Sequence, residues 1–229
     1  MEYRPIAKIH NDFPTKFGLP RQSGLSEHLI SRIVMEEEYR NAEAFRGIEA
    51  FEYLWLIWCF EPMGKRALSE NSWSPTVRPP KLGGNKRMGV FATRSPNRPN
   101  PIGLTRVKLL KVDQTDSGVV LTVGGADLMD GTKILDIKPY LPYADSVPDA
   151  ATGEYGPAYN EPLEVVIPQQ VEALFDDARL SALKEVLSLD PRPGYQNDPD
   201  RIYGFVYGSY DIRFKVADRT LTVIEAVPI

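Results

Sequence analysis

Short segments of strand-forming residues recur through the first 140 residues of the chain, each bounded by turn-forming residues. Several short strands joined by turns favour an antiparallel barrel or sandwich, so we expect a mainly β fold here. Residues 51–60 are continuously apolar and aromatic, which predicts a strand buried on both faces. No strand is followed by a GxGxxG turn and a helix, so a Rossmann-type cofactor site is not expected. The predicted strands are residues 4–10, 51–60, 88–93, 105–112, 118–123 and 133–139.

A change of pattern beyond these strands indicates a second domain. Residues 145–162 are rich in proline, glycine and acidic residues, and we interpret them as a linker or long loop. After them, residues 169–187 space their apolar side chains three and four apart, which predicts one amphipathic helix. We therefore expect a β domain at residues 1–150 and a small α+β domain at residues 160–229. The strands predicted in the second domain are residues 165–167, 202–208, 210–216 and 220–227.

The rarity of cysteine and histidine limits the chemistry open to the chain. Cys59 is the single cysteine, and its apolar neighbours indicate a buried side chain rather than a nucleophile. His10 and His28 are the two histidines, which nearly excludes a zinc site, and we expect no metal. The longest apolar run is far shorter than the roughly 20 residues that cross a bilayer, so we expect no membrane partner. Because the N-terminal residues lack a signal-peptide pattern, we expect a cytoplasmic location.

Charge is distributed unevenly along the chain. The net charge is −4, yet residues 71–112 contain nine basic residues and no Asp or Glu. Such an asymmetry suggests an anionic partner at one surface, although solvated turns would carry basic residues too. The basic residues of this segment are Arg78, Lys81, Lys86, Arg87, Arg94, Arg98, Arg106, Lys108 and Lys111.

The richest motif lies inside this basic segment. Residues 73–104 combine prolines, which fix φ, with glycines, which permit close approach of the backbone. Hydrogen-bond donors follow at short intervals along residues 89–104, GVFATRSPNRPNPIGL, where we expect the active-site loop. Rigid loops with fixed donors predict a pre-organised site for an anionic or polar ligand; the alternative is a proline-rich connection with incidental arginines.

Two acidic segments are further candidates. In residues 126–132, ADLMDGT, the carboxylates of Asp127 and Asp130 could bind hydroxyl groups or a ribose, or act as a base. The alternative is a tight turn in which these carboxylates bond to their own backbone. In residues 136–143, DIKPYLPY, the side chains of Asp136 and Lys138 share one face of a strand with a tyrosine and could line a pocket. A solvent-facing strand edge explains them equally well.

Residues 73–103, WSPTVRPPKLGGNKRMGVFATRSPNRPNPIG, resemble the signature of the TrmO family, also called the TsaA-like or YaeB family. The resemblance extends to residues 20–23, 126–132, 136–142 and 190–195, and so covers nearly the whole chain. It implies a methyltransferase that uses S-adenosylmethionine and has a single-sheeted antiparallel β-barrel. It further implies a homodimer that methylates the exocyclic nitrogen of threonylcarbamoyl-adenosine, next to the anticodon of tRNA.

The same resemblance assigns residues to the cofactor. It implies that three stretches contact S-adenosylmethionine: a loop near residue 21, the end of the strand near residue 60, and the loop at residues 127–131. It implies further contacts from residues 94 and 104. At Glu61 the chain departs from the histidine of related sequences. The implied cofactor-binding residues are Arg21, Gln22, Ser23, Phe60, Glu61, Arg94, Leu104, Asp127, Leu128, Met129, Asp130 and Gly131.

Methyl transfer to this acceptor predicts two kinds of catalytic residue. The acceptor nitrogen is a poor nucleophile because its lone pair is delocalised, and it must lose a proton. A carboxylate or a lysine of depressed pKa would take that proton, and the candidates are Asp130, Asp136 and Lys138. We expect Arg98 and Asn100 to orient the substrate, since a guanidinium matches the carboxylate of the carbamoyl-threonine.

The small second domain is expected to hold the anticodon stem-loop of tRNA. Its arginines and tyrosines offer phosphate contacts and stacking faces for unpaired bases, although ordinary packing of a β-hairpin explains the tyrosines equally well. The residues concerned are Arg192, Arg201, Tyr203, Tyr207 and Tyr210. Two other functions remain open from the sequence: a non-catalytic sensor that binds S-adenosylmethionine or a nucleotide, and a methyltransferase with a small-molecule or protein substrate.

Overall fold

The computed structural model describes residues 3–26, 28–60, 73–79, 86–116, 118–153, 162–192, 196 and 198–229. Six strands form a closed barrel in which every neighbouring pair is antiparallel. This confirms the single-sheeted antiparallel barrel. The barrel strands are β1 (Ala7–His10), β2 (Ile30–Met35), β3 (Tyr53–Cys59), β6 (Ile102–Thr115), β7 (Gly118–Gly124) and β8 (Lys133–Pro139). Around the barrel their order is β1-β2-β7-β6-β3-β8.

The inward side chains of the barrel follow the two-residue period of its strands. In β3, Leu54, Leu56 and Trp58 are buried, whereas the residues between them are half-buried. The prediction that this strand is buried on both faces was therefore wrong for its outer face. Strand β2, which the sequence patterns did not predict, closes the barrel by placing Ser31, Ile33 and Met35 inward.

Between β3 and β6 the chain leaves the barrel. Strands β4 (Thr76–Val77) and β5 (Met88–Gly89) form a two-stranded ribbon. The strand predicted at residues 88–93 is shorter than expected, because Val90–Ala92 forms a 3₁₀ turn that buries Val90. Three more 3₁₀ turns, Glu37–Tyr39, Ala42–Phe45 and Ile48–Ala50, connect β2 to β3, and a short helix, α1 (Pro142–Asp145), follows β8.

The second domain is a four-stranded sheet covered by helices. Its strands run in the order β10 (Tyr203–Tyr207), β11 (Tyr210–Ala217), β12 (Thr220–Pro228) and β9 (Glu164–Val166), and β9 is parallel to β12. Strands β10 (Tyr203–Tyr207) and β11 (Tyr210–Ala217) form the predicted hairpin. The helices are α2 (Gln169–Glu172) and α3 (Asp177–Ser188).

The single helix predicted at residues 169–187 is in fact two helices. Asp176 has an extended backbone, with φ −69° and ψ 166°, and its side chain accepts a hydrogen bond from the amide of Arg179. It is therefore the N-cap of α3, and the helical conformation is interrupted before this residue, between α2 and α3. The break places Phe175 against Tyr207 and Tyr210, with ring centroids 5.6 and 5.5 Å apart.

The two domains share one hydrophobic core, which passes through the connection between β1 and β2. Phe13 in this connection is 1% exposed and lies 5.0 Å from the ring of Tyr207 and 6.1 Å from that of Phe205. The carboxylate of Asp12 binds the Arg179 guanidinium, and its carbonyl accepts a hydrogen bond from the amide of Gly208. The second domain is therefore packed against the barrel.

This packing decides between the two explanations for Tyr203 and Tyr207. Tyr203 and Tyr207 are buried, and Tyr203 stacks on Phe214 at 5.5 Å, so in this structure they pack within the hairpin. Arg192 is also buried, and its guanidinium is paired with Asp190 at 2.9 Å. Of the helices in the described part of the chain, none is long and apolar enough to cross a membrane.

Candidate functional site

Three connections of the barrel meet at one end. Strands β1, β3 and β7 end there, and β2, β6 and β8 begin there, because neighbouring strands are antiparallel. These connections are residues 11–29, 60–101 and 125–132. They contain residues 20–23, which the family resemblance implied, and they overlap residues 73–104 and 126–132, which the sequence patterns singled out. Two adjacent cavities open among them.

The larger cavity, about 510 Å³, lies between the β1–β2 and β7–β8 connections. Its walls combine apolar and aromatic side chains with a few carboxylates and cations, which is the usual composition of a ligand pocket. Lys16 Nζ lies 5.8 Å above the ring of Phe60 on one wall. The lining residues are Pro14, Thr15, Lys16, Leu19, Pro20, Arg21, Trp58, Cys59, Phe60, Asp127, Leu128, Met129, Asp130, Gly131 and Thr132.

The smaller cavity, about 400 Å³, is bounded by the proline-rich loop and carries more cations. Arg94 donates a hydrogen bond to the amide oxygen of Gln22 at 2.5 Å, which links this loop to the β1–β2 connection. Arg98 donates to the carbonyls of Thr93 and Ser95, at 3.1 and 3.3 Å, and so fixes the turn around itself. The lining residues are Pro20, Arg21, Gln22, Trp58, Phe60, Thr93, Arg94, Arg98, Asn100, Ile102, Gly103, Leu104 and Asp127.

The two cavities share a wall, and a hydrogen-bond chain runs through it. The indole Nε1 of Trp58 donates to the hydroxyl of Thr105 at 3.0 Å, and that hydroxyl donates to Oδ1 of Asp127 at 2.7 Å. Thr105 is fully buried. Burial raises the pKa of Asp127 above its usual range, and the bond from Thr105 and the charge of Arg94 only partly oppose this.

Gly103 holds the indole of Trp58 in this wall. A Cβ atom at Gly103 would lie 2.1 Å from Cε2 of Trp58, because the two residues are cross-strand partners in β6 and β3. The glycine of the sequence PIGL is therefore required by close approach of the indole.

Comparison with known proteins gives these cavities a family context. The family model described as "tRNA-methyltransferase O N-terminal domain" matches residues 8–146, and the family model described as "TrmO C-terminal domain" matches residues 160–229. The chain belongs to the TrmO family. Its residues 8–146 include every connection that lines the two cavities.

Relatives in the TrmO family resemble the chain over most of its length. The tRNA (adenine(37)-N6)-methyltransferase of Escherichia coli is 38% identical, and the match covers 99% of this chain and 98% of the relative. The protein of the same name from Eikenella corrodens is 43% identical, covering 78% of this chain and 97% of the relative. The crystal structure of TrmO from Pseudomonas aeruginosa superposes with a TM-score of 0.77 at 28% identity, covering 99% of this chain and 98% of that one.

Most residues that the TrmO resemblance assigned to the cofactor lie around the two cavities. Arg21, Phe60 and residues 127–131 line the larger cavity, while Gln22, Arg94 and Leu104 line the smaller one. Ser23 lines neither; its hydroxyl instead accepts a hydrogen bond from the amide of Arg106 at 3.3 Å. Glu61 lies outside the described residues.

The predicted catalytic residues divide into two groups. Arg98 and Asn100 line the smaller cavity and Asp130 the larger one, where its carboxylate is bonded to His10 Nδ1 and to the amide of Asn11. Among the residues that the structure describes, Asp136 and Lys138 line neither cavity. They are paired with each other at 2.8 Å on the outer face of β8.

Trp58 and Thr105 are functional candidates that sequence patterns missed. Both point into the barrel, where a tryptophan and a threonine normally signal packing. Their polar atoms become relevant only through the pairing of β3 with β6, which brings the indole to the hydroxyl. A signal was present in part, since Trp58 lies two residues before the predicted site residue Phe60.

Proposed function

We propose that this protein transfers a methyl group from S-adenosylmethionine to N6 of adenosine 37 in tRNA, and that the acceptor is threonylcarbamoyl-adenosine. The observation that carries the proposal is the pair of adjacent cavities with a common wall. A methyl donor in one cavity and an acceptor base in the other would meet at this wall, which is the arrangement that an in-line displacement needs.

The larger cavity has the groups that S-adenosylmethionine requires. Its volume is within the range of about 300–1,000 Å³ typical of small-molecule sites. Trp58, Phe60 and Met129 offer apolar faces for an adenine ring, Arg21 offers a guanidinium for a carboxylate, and Asp130 offers oxygens for hydroxyl or ammonium groups. When bound, the cofactor supplies the reactive methyl group; the residues around it supply position and charge.

The smaller cavity suits the modified adenosine. Arg98 supplies a guanidinium group that matches the carboxylate of a carbamoyl-threonine side chain, while Arg94, which the resemblance assigned to the cofactor, lines the same cavity. Because Arg98 is bonded to two carbonyls of its own loop, its guanidinium is already oriented before substrate binds.

We propose that the anticodon loop binds beside this cavity. A third cavity, about 610 Å³, is lined by Arg78 and Arg87 from the β4–β5 ribbon. Near it, the exposed rings of Trp73 and Phe91 stack at 6.4 Å, with 42% and 74% of their surface in solvent. Arginines beside exposed aromatic rings match the phosphates and unpaired bases of a single-stranded loop.

We propose that the second domain contributes fewer tRNA contacts than the sequence suggested. With Tyr203, Tyr207 and Arg192 buried, the contacts proposed for residues 160–229 come from Arg201 and the half-buried Tyr210. Because tRNA is the proposed substrate, we also infer that the protein works in the cytoplasm.

A homodimer completes the proposal. The outer face of β6 exposes three large apolar side chains, Ile102, Leu104 and Leu110, each with more than two fifths of its surface in solvent. Ile102 and Leu104 alternate along β6, while Arg106 and Lys108 separate them from Leu110, and an exposed apolar patch with polar neighbours is a candidate interaction surface. Sedimentation of the wild-type protein as a monomer under assay conditions would remove this part of the proposal.

The function is tested with labelled S-adenosylmethionine and bulk tRNA from cells that lack this protein. We expect label in the nucleoside next to the anticodon, and we expect Arg98→Ala to slow its appearance roughly 10–100-fold through loss of a charge-assisted contact. Arg46→Ala is the matched control, because Arg46 is exposed and paired with Glu43 away from the cavities. Binding of the cofactor without any labelled nucleoside would favour a sensor and refute the proposal.

A further inference from the structure

The wall between the two cavities presents one carboxylate to both of them. Asp127 is the acidic residue common to the described linings of the larger and smaller cavities. Its Oδ1 accepts the hydroxyl of Thr105, and Trp58 in turn donates to that hydroxyl. Two buried donors in series fix the position of the carboxylate, as pre-organised catalysis requires.

We propose that Asp127 is the general base that removes the N6 proton of the acceptor adenosine during methyl transfer. The inference rests on the proposed function and adds to it a role for this residue. In the step, N6 forms a bond to the methyl carbon while the bond from that carbon to sulfur breaks. The bonding electron pair goes to sulfur, which becomes a neutral thioether, and the N6 proton goes to a carboxylate oxygen of Asp127.

The electrostatic surroundings of Asp127 suit this role. Burial raises its pKa, so the ionised carboxylate is a stronger base than an exposed aspartate, and the bond from Thr105 and the charge of Arg94 limit the rise. The charged side chains that line one or both cavities with it come from all three connections: Lys16, Arg21, Arg94, Arg98 and Asp130.

The other acidic candidates are less well placed. Asp130 lies on the rim, with 42% of its side chain in solvent, and it is engaged by His10 and the amide of Asn11. Asp136 lies on the outer face of β8, where it pairs with Lys138. Neither lines the smaller cavity among the residues that the structure describes, whereas Asp127 lines both.

Single-turnover methylation of tRNA by Asp127→Asn tests the proposal. Asparagine keeps an oxygen that can accept the Thr105 hydroxyl but cannot take a proton. We expect the rate at saturating cofactor to fall roughly 10²–10⁴-fold, the usual contribution of a general base. Calorimetry should show S-adenosylmethionine and tRNA affinities within about twofold of wild type. Asp113→Asn, which removes a carboxylate paired with Lys111, is the matched control and should keep the wild-type rate.

The pH dependence separates a base from a merely structural carboxylate. In wild type, the logarithm of the single-turnover rate should rise with pH until Asp127 is ionised and then level off. Thr105→Val removes a hydrogen bond to the ionised carboxylate of Asp127, so the pH at which the rate levels off should move upward. Thr105→Ser keeps the hydroxyl, so its rate should level off at the same pH as that of wild type. Asp127→Asn should abolish this inflection.

Two outcomes would overturn the inference. One is an Asp127→Asn enzyme that keeps the inflection or the wild-type rate; the other is a loss of rate fully accounted for by weaker cofactor binding. Absence of methylation by wild type itself would instead refute the proposed function, so the two failures are distinguishable.

Discussion

At the scale of single residues, the site depends on side chains whose roles come from their neighbours. Asp127 is a partly buried carboxylate whose position is fixed by Thr105 and Trp58, which β6 and β3 place beside it. Trp58 in turn fits only because residue 103 has no side chain. A motif glycine and a strand tryptophan thus determine the shape of the wall between the cavities.

Substitution of Gly103 should therefore disturb both stability and ligand binding. In Gly103→Ala the new methyl group would lie 2.1 Å from the indole, so Trp58 or the backbone must move. We expect a loss of about 1–3 kcal/mol in the free energy of unfolding, the usual cost of overpacking, together with weaker cofactor binding. Denaturant titration and calorimetry measure the two effects.

Gly89→Ala is the matched control. At Gly89 the added Cβ meets no atom of the described residues within 4 Å, and φ is −58°, which any residue adopts. Its free energy of unfolding should stay within about 0.5 kcal/mol of wild type. Equal losses in the two variants would show that Gly103 is not constrained by Trp58.

At the scale of secondary structure elements, the barrel brings separate sequence motifs to one end. The short strand-forming segments separated by turn residues correctly indicated a mainly β fold. The break between α2 and α3 was not predicted, because Asp176 and Asp177 fit the exposed face of a continuous helix as well as they fit a cap.

Asp176→Ala should test the cap that separates the two helices. Loss of the hydrogen bond to the amide of Arg179 should lower the free energy of unfolding by about 1 kcal/mol. Asp176→Asn keeps a hydrogen-bond acceptor, so its free energy of unfolding should remain close to that of wild type. A loss of stability as large as that of Asp176→Ala would argue against capping. Denaturant titration of the three proteins makes the comparison.

The limits of sequence prediction at the site follow from strand pairing. Asp136 and Lys138 were correctly expected to share one face of a strand, yet the sequence does not say which face. Pairing of Asp136 with Ile57 across β8 and β3, next to an irregularity in register, places it outside the barrel. The bond from Thr105 to Asp127 joins residues 22 positions apart and depends on the same kind of register.

At the scale of the whole molecule, the second domain supports the cavity wall. Residues 11–29 contribute Arg21 to both cavities, and the same connection is bonded to α3 and the β10–β11 hairpin. The carboxylate of Glu185 on α3 accepts hydrogen bonds from the buried hydroxyl of Ser26 and from the amide of His28, at 2.7 and 3.1 Å. We call these contacts of Glu185 the interdomain clasp.

The interdomain clasp should stabilise the protein in a pH-dependent way. Burial alone would raise the pKa of Glu185, but hydrogen bonds from Ser26 and His28 outweigh it, and the net shift is downward from 4.5. A carboxylate whose pKa is lower in the folded than in the unfolded state stabilises the fold at pH values above its unfolded-state pKa. This stabilisation is lost as the pH falls through its folded-state pKa. The difference in the free energy of unfolding between wild type and Glu185→Gln should therefore be present at neutral pH and should disappear below about pH 4.5.

We expect Glu185→Gln to lower the free energy of unfolding at neutral pH by about 1–2 kcal/mol, since it removes charge-assisted hydrogen bonds from a partly buried site. Glu172→Gln is the control, because Glu172 pairs with Lys184 within the second domain and exposed pairs contribute about 0–1 kcal/mol. A deficit in Glu185→Gln that persists unchanged in acid would contradict the assigned origin of the stability.

In the proposed function, the wall shared by the two cavities also couples the binding of cofactor to the binding of tRNA. Arg21, Trp58, Phe60 and Asp127 face both cavities, so any displacement that one ligand causes in them changes the free energy with which the other binds. By linkage, the factor by which cofactor alters the dissociation constant of tRNA equals the factor by which tRNA alters that of cofactor. The demethylated cofactor, which lacks the methyl group and the positive charge at the wall, acts on the same residues. Its coupling to methylated tRNA is reciprocal as well, so the departure of either product changes the dissociation constant of the other by the same factor.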